Sequence, residues 1–161
     1  MTIYDEPKVK VYSFEELLEE KGYIVYTNVG CSMMPLLRQR RDIIEIRPLM
    51  RKPQKYDVLL YKRGNTYILH RVLKVLDGGG YLIAGDNNIF VERDVTDQMI
   101  LGRMTRIIRD RKEILVDENW KYKVYSHIWV DFLYIKCLAL RVRGKAARMW
   151  NKAVQKSHQR N

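Results

Sequence analysis

The sequence predicts a mainly β protein, a folded sheet or β-rich barrel with a short N-terminal helix and a C-terminal basic amphipathic helix. Three observations predict it. β-branched and aromatic runs recur between residues 23 and 108, and such side chains suit the pleated, half-buried surface of a strand. Turn signals separate the runs at short, irregular spacing, which favours hairpins over the crossover helices of a parallel α/β sheet. After Asn119 the composition shifts, and neither Gly nor Pro occurs from Trp120 until Gly144.

The elements follow in chain order. Ser13-Phe14-Glu15-Glu16 has capping-box spacing and Gly22 stands where a helix would end, so residues 14 to 21 read as a helix. Strands are expected at Tyr23 to Thr27, Ile43 to Ile46, Val58 to Tyr61, Tyr67 to Val75, Tyr81 to Ile83 and Ile100 to Ile108. Arg47-Pro48, Lys52-Pro53, Arg63-Gly64-Asn65, Asp77 to Gly80 and Gly85 to Asn88 supply the turns between them. A last helix is expected from about Ser126 to Val142. The chain of 161 residues then divides into an N-terminal helix (1–22), a β-rich domain (23–118) and an apolar, basic helical tail (119–161).

Composition narrows the functional classes. Hydrophobic residues make up 47% and charged residues 30%, which fits a packed domain and not a disordered chain. The two cysteines, Cys31 and Cys137, form no CxxC pair, so neither a disulfide framework nor a metal site is indicated, and no cofactor is implied. The first 20 residues hold six acids and no apolar stretch of signal-peptide type. The apolar run Ile128 to Leu140 is 13 residues long and interrupted by Asp131 and Lys136, whereas a spanning helix needs about 20. The expectation is a cytoplasmic protein, or one peripheral at the cytoplasmic face of the membrane.

Three segments hold the candidate chemistry. Gly30-Cys31-Ser32-Met33-Met34-Pro35-Leu36-Leu37 follows the first strand, in a tight turn that can expose the Ser32 hydroxyl. Met34 stands where a nucleophile elbow needs Gly, so this is not an α/β-hydrolase motif. His70, within Leu69-His70-Arg71-Val72, reads in isolation as a core histidine. It is also the only histidine in the β-rich region, since His127 and His158 fall in the tail. Gly85-Asp86-Asn87-Asn88, with Glu92 and Asp94 behind it, reads either as a hairpin turn or as the source of a carboxylate that orients an imidazole.

In this order the segments resemble the signal peptidase I family, in its archaeal and endoplasmic-reticulum branch. The resemblance covers roughly residues 23 to 108: a Ser-Met-x-Pro-x-Leu box at Ser32 to Leu37, a His-Arg-Val box at His70 to Val72, and a Gly-Asp-Asn-Asn box at Gly85 to Asn88. Ile100-Leu101-Gly102-Arg103-Met104 also looks like the Ile-x-Gly-Arg-Val strand near the family's end. The bacterial branch and the related self-cleaving repressors carry a Lys where this chain has His70. The resemblance therefore implies a β-rich serine endopeptidase with a Ser32–His70 pair, acting on a leader, signal or precursor peptide, and no cofactor.

It implies further roles. His70 would act as general base, and a carboxylate would hold its tautomer. The Ser32 N–H would face the oxyanion. Gly30 stands where signal peptidases commonly have a second Ser, and repressor-like relatives also have Gly there. Met33, Met34, Pro35, Leu36 and Leu37 would line an apolar groove for an extended substrate. The family's third catalytic residue is an Asp at the position occupied here by Glu92, so Asp86, Glu92 and Asp94 are all candidates for that acid. Cys31, beside Ser32, is an alternative nucleophile. The family's N-terminal membrane segment has no counterpart in these residues.

The net charge of +11 is uneven. Residues 136 to 161 carry eight Lys and Arg and no acid, leaving the first 135 residues at +3. Together with the aromatic run before it, this makes residues 128–161 a candidate for an anionic membrane surface. A helix packed on the β domain with a solvated basic tail is the other reading. A non-catalytic membrane-binding module is accordingly the alternative to a peptidase. No helix-turn-helix or RNA-binding signature supports a nucleic-acid partner.

Overall fold

In the computed structural model, which describes residues 12–132, the capping box forms as the sequence predicts. Ser13 N–H donates to Glu16 Oε2 at 2.7 Å, Glu16 N–H donates to Ser13 Oγ at 3.2 Å, and left-handed Gly22 closes the helix α1, Phe14–Lys21. Eight strands follow: β1 Ile24–Thr27, β2 Ile43–Arg47, β3 Val58–Arg63, β4 Thr66–Val75, β5 Tyr81–Ala84, β6 Glu92–Val95, β7 Ile100–Arg109 and β8 Lys112–Leu115. A 3-10 turn, Asp97–Met99, leads into β7, and the helix α2 spans Trp120–Asp131. The protein is mainly β, as predicted.

The strands form one sheet in the order β1-β2-β7-β3-β4-β5-β6, with β8 added to β7. Every pairing among the described strands is antiparallel. β7 joins the two halves: it pairs with β3 through Ile100 to Arg103 and with β2 through Arg103 to Ile108. Gly102 allows this close approach, because a Cβ there would strike the Arg47 carbonyl.

Alternation along β3 and β4 divides the interior. Val58 and Leu60 of β3 join Leu69 of β4, Ile44, Ile46, Met104 and Ile107 in one apolar cluster, which α1 and α2 cover with Leu18 and Tyr122. Leu59 and Tyr61 point the other way, into a cluster with Val72, Tyr81, Ile83 and Val95. Because Leu59 pairs with His70 and Val58 with Arg71, the adjacent His70 and Arg71 point to opposite faces of the sheet.

Two strands and one helix start depart from the sequence expectation. β6 has three charged residues in four and β8 two in four, and with one β-branched side chain each they do not signal themselves. α2 begins earlier than the expected Ser126, because Asn119 Oδ1 accepts from Tyr122 N–H at 2.9 Å and caps the helix there. The expected continuation to Val142 and the basic stretch after it lie outside the described residues. No helix among the described residues is long and apolar enough to cross a membrane.

Candidate active site

His70 lies in the middle of β4 and is almost fully buried. Tyr61, diagonal to it on β3, is completely buried, and Glu92 begins β6 opposite Ile83. All three side chains meet on the same face of the sheet. Glu92 Oε1 lies 3.0 Å from His70 Nδ1, and Tyr61 O–H donates to Glu92 Oε2 at 2.7 Å. The Tyr61 oxygen is also 3.2 Å from His70 Nδ1.

These contacts assign the tautomer. A phenol has one proton, and Tyr61 gives it to Glu92, so its oxygen can only accept from the imidazole. A carboxylate likewise only accepts. Nδ1 therefore carries the proton, leaving Nε2 as the free base. Burial holds the imidazole below its ordinary value of 6.5 despite the opposing pull of Glu92, so the ring is neutral at neutral pH. Burial, reinforced by Glu92, pushes the Tyr61 phenol above its ordinary value of 10.0, which keeps it a donor.

Nε2 points toward the loop that carries Ser32, with Gly85 between them. A Cβ on Gly85 would lie 2.6 Å from the Ser32 carbonyl oxygen and 3.0 Å from both His70 Nε2 and Asn88 Nδ2. Glycine is required here by space: any side chain would force the serine loop away from the imidazole. Asn87 N–H donates to the Ser32 carbonyl at 2.7 Å and ties the two loops together. Asn88 Nδ2 reaches 3.5 Å from Nε2. The Ser32 hydroxyl is partly exposed and makes no hydrogen bond to His70 in this arrangement.

The serine loop is held from within. Asn28 Nδ2 donates to the Gly30 carbonyl at 2.8 Å, and Arg40 N–H donates to the Asn28 carbonyl at 2.7 Å. At the far end buried Asp42 takes Arg38 at 2.8 Å and Arg109 at 2.5 Å, and Arg109 also donates to the Leu36 carbonyl. Met33, Leu36 and Leu37 are buried in the main core cluster.

That burial corrects the expected groove. Met33 and Leu37, fully buried, anchor the loop and face the sheet's interior, whereas Leu36 with Pro35 borders a cavity of about 310 Å³ on the side of Ile107, Ile114 and Tyr122. Met34 and Pro35 remain exposed, as do Val29, Gly30 and, beyond the second loop, Phe90. Cys31 is exposed on the same turn with a free thiol, and its carbonyl accepts from Met34 N–H at 3.1 Å.

Of the three candidate carboxylates, only Glu92 reaches the imidazole. Asp86 is directed to the opposite face, where Arg71 grips it at 2.8 and 2.9 Å and Tyr125 O–H donates to it at 2.9 Å. It is the buried ion-pair partner of Arg71 on β4 and an acceptor for α2, and it does not reach His70, which corrects its candidacy as the orienting acid. Asp94 is exposed and bonds Arg63 at 2.7 Å, and Arg63 in turn lies 2.9 Å from Glu92. Asp94 thus reaches the site through Arg63 alone. Tyr61 and Arg63, which support Glu92, were not singled out from the sequence. Their position two apart on β3, facing the histidine, becomes visible only once the register of β3 and β4 is known. Among the described residues no cluster of His, Cys, Asp and Glu is suited to hold a metal ion. Comparison of the chain with protein-family models finds no match, and comparison with the curated proteins finds none.

Proposed function

We propose that the protein is a serine endopeptidase of the signal-peptidase-like type, cleaving a leader, signal or precursor peptide after a small side chain. One observation carries the reading: a neutral, buried His70 is oriented by Glu92 at 3.0 Å through Nδ1, with Nε2 turned to the Ser32 loop across Gly85. Neither a core histidine nor a hairpin turn requires that combination.

Ser32 Oγ would attack the scissile carbonyl carbon while His70 Nε2 takes its proton, forming a C–O bond and an oxyanion. Glu92 would stabilise the imidazolium. The C–N bond then breaks, Nε2 returns the proton to the leaving amine, and water activated by the same nitrogen hydrolyses the acyl-enzyme. Exposed Met34 and Phe90 offer apolar contacts to an extended substrate.

The test is cleavage of a peptide carrying an Ala-x-Ala site by the full chain. Ser32→Ala and His70→Ala are expected to fall by at least about 10²-fold. Activity unchanged in both variants overturns the assignment.

A further inference from the structure

One face of α2 is turned away from the sheet. Trp120, Val124 and Ile128 recur four residues apart and so form a single stripe along the helix. They are 67%, 47% and 54% exposed, and Phe132 at the C-terminal cap is 55% exposed. The opposite face is fully used: Tyr122, Ser126 and Val130 are buried, and Tyr125 and Trp129 bond to Asp86. The stripe is therefore not a packing face displaced by helix rotation.

The charge around it is mainly positive, although Glu118 is exposed just before the helix. Lys121 and Lys123 flank the stripe, both exposed, and neither makes a salt bridge among the described residues. The only acid in α2, Asp131, is held by Lys55 at 2.6 Å. Directly beyond Phe132 the sequence adds eight Lys and Arg and no Asp or Glu.

We propose that this stripe docks the protein on the headgroup region of an anionic bilayer. A tryptophan and aliphatic side chains on one helix face, bordered by lysines, are what an interfacial helix presents to such a surface. The cationic stretch that follows would add attraction to anionic lipid within a screening length. Pairing with a second copy is opposed by the same charges, since it would bring two cationic segments together. Because the other face of α2 holds the Asp86 loop, docking would fix the orientation of the candidate active site to the membrane. The inference does not depend on peptidase activity, and its test reads binding alone.

The full chain is sedimented with phosphatidylcholine vesicles, with and without phosphatidylglycerol. Wild type is expected to pellet with the anionic vesicles only, and less so as salt is raised. The triple variant Trp120→Ser, Val124→Ser, Ile128→Ser is expected to lose at least about tenfold in partitioning. All three residues are exposed, so an unchanged circular dichroism spectrum is expected and shows that the loss is not unfolding. Absence of wild-type binding to anionic vesicles overturns the proposal. So does undiminished binding by the triple variant, or a wild-type dimer that the triple substitution dissociates, which would put a second copy on the stripe.

Discussion

At the scale of single residues, the site is organised around one nitrogen. Glu92 and Tyr61 both accept from Nδ1–H, so they fix which nitrogen is free and which way it points. Glu is one methylene longer than the Asp of the resembling family, and buried Tyr61 together with Arg63 holds that longer arm in place. The acid limb of kcat/KM reports the free enzyme's base. Burial lowers the pKa of His70, so that limb is expected below pH 6.5. Glu92→Gln removes the group that favours the imidazolium and leaves the burial. Its kcat should fall about 10²–10⁴-fold while the acid limb moves to still lower pH. Tyr61→Phe, which loses one bond to the carboxylate, should cost about tenfold in kcat. An acid limb that rises in Glu92→Gln would remove Glu92 from the mechanism.

At the scale of elements, β4 serves two purposes through adjacent residues. His70 faces the candidate site, and Arg71 faces α2, where its guanidinium binds Asp86, the Tyr56 carbonyl at 3.0 Å and Ser126 Oγ at 2.8 Å. Arg71 and Asp86 are 0% and 1% exposed. Removing one member of such a pair strands a buried charge, so Asp86→Ala should destabilise the fold by about 3–5 kcal/mol. Chemical denaturation should show this loss, whereas Glu92→Gln, on a partly exposed side chain, should leave the midpoint nearly unchanged. Equal losses in the two variants would contradict the division of roles. The same division explains what the sequence made legible. Apolar periodicity marked six strands, and the capping box marked α1, because local side-chain chemistry determines both. Ser32 and His70 stood out in the sequence as candidates, and Glu92 stood only as one of three acids. The sequence left three acids open because choosing among them requires knowing which sheet face each occupies. The burial of Met33, Leu36 and Leu37 was likewise hidden, since an apolar loop reads the same whether it faces substrate or core.

Across the whole molecule, the charge of +11 conceals that most acids among the described residues are paired with a cation. Glu15 is held below its ordinary 4.5, first by Lys62 and then by Tyr67, and Asp117 is held below 3.8 by Arg103. Burial would raise Asp42, but the bonds from Arg109 and Arg38 outweigh it and its pKa is lowered as well. Carboxylates depressed in the fold stabilise it above their unfolded values and lose that contribution as pH falls through the folded ones. His70 acts in the same direction at higher pH. Its folded value is depressed, so below pH 6.5 the unfolded chain takes up a proton that the folded chain refuses, and stability declines. Thermal unfolding followed across pH should therefore show two declines on acidification, one beginning near pH 6.5 and another below about 4.5. His70→Gln cannot take up the first proton and should remove the upper decline while keeping the lower. If the upper decline persists in His70→Gln, a different group is protonating there, and the imidazole is not the buried neutral base on which the site depends.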